Sequence, residues 1–151
     1  MKQVHQLEIK INGYQEKIRE LEAEIKRLEQ NHESLRLFKG NVETSHGEFH
    51  DINSWRKNIL AGVQSVEANS VTAQRYHAGM EHVLNGIASR IVTCVYPALL
   101  FEILVRMQKY INDITDCEAE IGRYWNLIGN AEEELQEAKK EEKNRRNGGD
   151  R

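Results

Sequence analysis

The first 35 residues carry an unbroken heptad repeat. Apolar side chains fall at Val4, Leu7, Ile11, Tyr14, Ile18, Leu21, Ile25 and Leu28, and after His32 the pattern resumes at Leu35. Steps alternate between three and four, the period that keeps one stripe of a helix turned toward a partner helix. Val4, Ile11, Ile18, Ile25 and His32 take the a positions; Leu7, Tyr14, Leu21, Leu28 and Leu35 take the d positions. β-Branched residues at a with leucines at d suit packing of two helices. Charges cover the outside, with Glu22 and Lys26 as an i,i+4 pair. Gly13 costs this helix about 1 kcal/mol against alanine. Gly40, after Leu37-Phe38-Lys39, is the expected stop.

A second segment repeats the pattern. Leu100, Ile103, Met107, Tyr110, Ile114, Cys117, Ile121, Tyr124, Ile128, Ala131, Leu135 and Ala138 again step by three and four. Two seams of similar length are satisfied together if one folds onto the other. The expected fold is therefore all-α: a long antiparallel coiled-coil hairpin, about 2–38 with 98–144, plus a helical middle segment packing as a small bundle. Partners across the seam should have numbers summing to about 142, which puts Tyr14 near Ile128, Leu28 near Ile114 and Leu35 near Met107. About 32 residues at 1.5 Å rise make a stalk of about 50 Å. The alternative is that each seam dimerises with its own copy. Pro97, the one proline, is placed in the first turn of the last helix, where a missing N–H is harmless.

Between the seams, residues 41–50 read as a connection and Asn53-Ser54 as a helix N-cap. Apolar spacing then continues through Ile59 and Val63, weakens at Glu67-Ala68-Asn69-Ser70, and returns at Ala73, Tyr76, Met80, Val83, Ile87 and Ile91. A break near 68–71 is expected. One helical domain over 1–146 follows, with stalk helices 2–38 and 98–144, a helical head at 49–95, and a frayed tail at 147–151. Charged residues make up 30% and aromatics 7%, which suits long helices better than sheets.

Several function classes recede. Lys and Arg number 21 against 24 Asp and Glu, a formal charge of -3, so the basic footprint of a nucleic-acid binder is missing. The N-terminus lacks the apolar core of a cleavable signal. The most apolar run, Ile91 to Val105, is shorter than the roughly 20 residues of a spanning helix and is read as buried core, so membrane contact is not expected. Two cysteines make no disulfide framework; Cys94 and Cys117 are read as buried thiols in a reducing compartment. His46 and His50 flank Glu48, but Gly47 and the order of residues differ from a helical zinc motif, so a solvated loop is expected. His32 at an a position is a polar seam residue. No catalytic residues, metal ligands or cofactor-binding residues are nominated, no cofactor is expected, and the chain is not read as an enzyme.

One cluster points outward. Gly122 and Gly129 are seven apart at b positions, with Trp125 and Leu127 at e and g. Small residues on a line permit close approach of another backbone, and an exposed tryptophan anchors interfaces. The competing reading is packing under the chain's own middle helix.

A long heptad helix, a tryptophan opening the next helix (Ser54-Trp55-Arg56-Lys57) and a final long amphipathic helix are together similar to a known pattern. The chain resembles the small helical proteins that accompany LXG toxins of bacterial type VII secretion, the YwqH-like group, and more distantly the WXG-type helical hairpins. Lys57 stands where the glycine of Trp-x-Gly would be. The resemblance implies a non-enzymatic adaptor or targeting factor that docks on the amphipathic helices of a protein partner, such as an LXG toxin. Trp125, Leu127, Gly122, Gly129 and Trp55 are the expected partner-binding residues. Rival readings are a self-assembling coiled-coil scaffold, with homodimers, and a membrane-active helical protein. The expected location is the cytoplasm, with export lacking a cleavable signal peptide as the alternative.

Overall fold

Seven-residue spacing along the first segment does not end at Gly40. His32, Lys39, His46, Asn53 and Leu60 extend the a positions in strict sevens. The computed structural model describes residues 2–64 and 70–148. In it the first helix, α1, runs Lys2–Gln64 without interruption. All five of those residues are buried or half-buried, as are Leu35, Val42 and Phe49 between them. The stop at Gly40, the connection at 41–50 and the cap at Asn53-Ser54 are thus corrected. The reason is energetic: an interior glycine costs a helix about 1 kcal/mol, whereas burying Val42 or Leu60 returns about 1.5–3 kcal/mol each. Gly40 and Gly47 accordingly keep right-handed backbone.

Of the expected break near 68–71, residues 68 and 69 lie outside the described residues. Ser70 is described and caps the next helix, α2, Val71–Val83: its hydroxyl oxygen accepts from the Ala73 N–H at 3.1 Å. Two π-helical turns follow, Leu84–Ala88 and Ile91–Val95, and then α3, Tyr96–Gly148. Together these form one continuous helical run, Val71–Gly148. Among the described residues only Ser70 is non-helical, and there is no strand. The fold is all-α.

Pro97 therefore lies inside a helical run, not at its start. A mid-helix proline removes one donor and its ring crowds the carbonyl four residues back. The π turn just before it absorbs that conflict: the Tyr96 N–H reaches five residues back to the Ile91 carbonyl. The π turns also serve the stripe. The packed positions here are Met80, Leu84, Ala88, Val92, Tyr96 and Leu100, five consecutive steps of four. A regular helix would rotate such a stripe away from its partner. Each π turn accommodates one extra residue, and two of them bring these twenty residues back to five turns of about 3.6. Tyr76, Val83 and Ile87, expected on the packed face, are exposed instead.

The chain divides into two compact units. The first combines Met1–His32 with Lys109–Arg151. Its core is Ile11, Ile18, Ile128 and Ala131, with Tyr14, Ile121, Tyr124 and Leu135 against it. The Tyr14 and Tyr124 rings lie 5.8 Å apart, and Lys139 meets Glu8 at 3.1 Å. These contacts run in opposite chain order. Tyr14 packs on the cluster that holds Ile128, while its ring partner is one turn earlier than a sum of 142 puts it. α3 continues to Gly148, beyond the expected end at 144, and the rest of the expected tail, 149–151, lies outside the described residues.

The second unit is Glu33–Gln108. Val42, Leu60, Leu84, Val92 and Ile103 are buried in it. His46 stacks on Tyr96 with ring centres 5.0 Å apart, and Phe49 tilts against the same ring at 6.2 Å. The run 91–105 is not the buried core expected of it: Val95, Leu99, Phe101, Leu104 and Val105 are all exposed.

Candidate functional site

In the first unit, Trp125 is 54% exposed and borders a groove of about 270 Å³ lined by Gln15, Ile18, Arg19 and Glu22. Gly122 and Gly129 share its side of α3. A Cβ built on either glycine would meet nothing within 4 Å. The close backbone approach that such glycines permit is therefore not made within the described chain. Leu127 is also exposed, but two residues from Trp125 means about 200° around the helix. The structure brings together Gly122, Trp125 and Gly129 and leaves Leu127 on another face.

Trp55 belongs to the second unit and is 62% exposed. It borders a smaller groove of about 200 Å³ with Arg56, Ile59, Leu60, Tyr76, Met80 and Leu84. Further exposed apolar side chains, which sequence reasoning missed, are spread along the second unit. Of the eighteen large apolar side chains exposed among the described residues, fourteen fall within residues 33–108. Ile87 and Phe101 are the most open of these. An 18-residue window in the run Val71–Gly148 has a mean hydropathy of 1.7 yet is only 11% buried. Exposed apolar side chains in such number mark an interaction surface more often than a free one. The signal was present: apolar residues from 91 to 105 outnumber what one seam can bury.

The polar groups around these surfaces are mostly paired locally. Along α1, Arg19 meets Glu16, Lys17 meets Glu20, Arg27 meets Glu24 and Arg36 meets Glu33, each within one helical turn. Hydrogen bonding to Arg27 holds the Glu24 carboxyl below its ordinary range. These pairs are solvent-exposed and steady the helix more than they shape a site. Lys39 is an exception in placement: it sits on the seam yet carries its ammonium out to Glu43 at 2.7 Å.

The cysteines part company. Cys94 is exposed, which corrects the expectation of a buried thiol. Cys117 is half-buried; loss of solvent is the main cause that pushes its thiol pKa up, and the carboxylates of Glu24, Glu120, Asp113 and Asp116 add to it. His46 is on a helix rather than in a solvated loop, with its Nε2 3.0 Å from the Val92 carbonyl oxygen. His50 is exposed, and His77 faces Glu81 at 3.7 Å. Among the described residues no three His, Cys, Asp or Glu side chains converge as a metal site. The arrangement offers apolar packing surfaces. Comparison of the chain with protein-family models, curated proteins and solved structures finds no match.

Proposed function

We propose that this chain is a helical adaptor that covers the amphipathic helices of a partner protein. The observation that carries this reading is the apolar surface of the second unit, whose most hydrophobic window is 11% buried. Exposed aliphatic and aromatic side chains on helices are matched by helix-on-helix packing with a partner. The finer architecture belongs to the same proposal: the two heptad seams pair within one chain as an antiparallel coiled-coil hairpin. The opposite chain order of the Tyr14–Tyr124 and Glu8–Lys139 contacts supports it. The partner class suggested by the family resemblance is the helical domain of an LXG toxin, and the role is targeting or protection before delivery, without catalysis.

Co-expression with such a helical domain, followed by light scattering of the purified complex, tests the reading. A complex of fixed stoichiometry is expected, weakened by Trp55→Ala and Trp125→Ala with helix content unchanged. Recovery of the chain alone, or complexes indifferent to both substitutions, would count against it. Contact with a lipid surface is the second reading, favoured by the mean hydropathy of 1.7 in the same window. Flotation with anionic vesicles separates the two: an adaptor stays with the protein fraction.

A further inference from the structure

We propose that His46 pins α1 to the second helical run at one register, by serving a backbone acceptor that Pro97 creates. The Val92 carbonyl has two ordinary main-chain donors, four and five residues ahead. The first, the Tyr96 N–H, turns to the Ile91 carbonyl instead. The second would be residue 97, a proline, which has no N–H. A carbonyl on the packed face of a helix cannot be left bare without a desolvation cost. Val92 is itself buried, so water is a poor substitute. The His46 ring fills the role: its Nε2 stands 3.0 Å from that oxygen, and since a carbonyl only accepts, the ring nitrogen donates. Stacking on Tyr96 at 5.0 Å holds the ring in place, and Phe49 tilts against the same Tyr96 ring at 6.2 Å.

This pairing differs in kind from the apolar contacts around it. Leucine and valine tolerate sliding by a heptad, because one apolar layer resembles the next. An acceptor left without its usual donors can be met from one position only. Polar residues at a positions set register in this way at some cost in stability. His46 occupies an a position of the extended seam, and the defect lies opposite it. Its role is that of a positioning residue.

The test is a double-mutant cycle on the full chain, read as thermal midpoint. His46→Phe keeps a stacking ring without the donor and should lower Tm by roughly 5 °C. His46→Gln, which keeps a donor near the same place, should recover most of the loss. Pro97→Ala restores a main-chain donor, so in that background His46→Phe should cost less than half as much. Equal shifts in both backgrounds, or no shift in either, would overturn the assignment. Register is read separately, by spin labels on native Cys94 and an introduced Gly47→Cys, with Cys117→Ser. Both labelled positions are exposed. The parent should give one narrow distance distribution, and His46→Phe a broader or displaced one. A distribution unchanged by His46→Phe would sink the register claim even if stability fell.

Discussion

Asn53 is a polar residue buried at a seam position. It is 7% exposed, and no described protein donor reaches its Oδ1. A buried acceptor without a partner costs about 1–3 kcal/mol. Asn53→Leu, with the same number and branching of side-chain heavy atoms, should therefore stabilise the chain by about 1–2 kcal/mol in urea unfolding. Destabilisation would mean that an ordered water or partner group satisfies the amide. The two cysteines should also differ in reactivity. The thiolate is the reacting form, and a raised pKa leaves less of it at any pH below that value. In a Cys94→Ser chain at pH 8, Cys117 should react with a disulfide reagent severalfold more slowly than in the urea-unfolded chain. Cys94, exposed, should react promptly in the folded chain with Cys117→Ser. Comparable slow rates at both sites would contradict the exposure of Cys94.

Helices in this chain are set by seams and not by their weakest residues. Gly40 and Gly47 are exposed, right-handed and without neighbours within 4 Å of a built Cβ. Gly40→Ala should thus raise stability by about 0.5–1 kcal/mol; a loss would argue for a hinge there. All-helical character was legible, because heptads at 4–35 and 100–138 leave no other period. The continuation through 41–60 was legible only in part. His32, Lys39, His46 and Asn53 preserve the spacing of seven, but polar side chains hide it from a search for apolar stripes, and two glycines imitate a loop. The five steps of four between Met80 and Leu100 were misread for a different reason. Backbone register there depends on two π turns, and nothing but Pro97 hints at them beforehand. The candidate site followed the same division. Trp125 was expected as an exposed anchor, with burial under the middle helix as the alternative, and Trp55 came from the family resemblance; both side chains are exposed. The surface around Ile87 and Phe101 was missed, because an apolar run reads alike whether its own chain or another molecule covers it.

Apolar exposure is uneven across the molecule, and that asymmetry decides how the isolated chain should behave. The unit at 33–108 carries most of the exposed large apolar side chains, while the other unit buries Ile11, Ile18, Ile128 and Ala131 together. A formal charge of -3 gives only weak mutual repulsion between copies. The free chain should therefore self-associate as its concentration rises, and its weight-average mass by light scattering should climb above that of one chain. Ile87→Asp with Phe101→Asp removes the two most open apolar groups without touching a buried one. That double variant should keep the helical circular dichroism of the parent and return the mass toward a single chain. If the adaptor reading holds, it should also lose partner binding by tenfold or more, about 1.4 kcal/mol at least. If the seams themselves were paired between copies, the charges would leave the mass unchanged, because Ile11, Ile18 and Ile128 would still hold the copies together. The two arrangements thus give opposite answers in one concentration series.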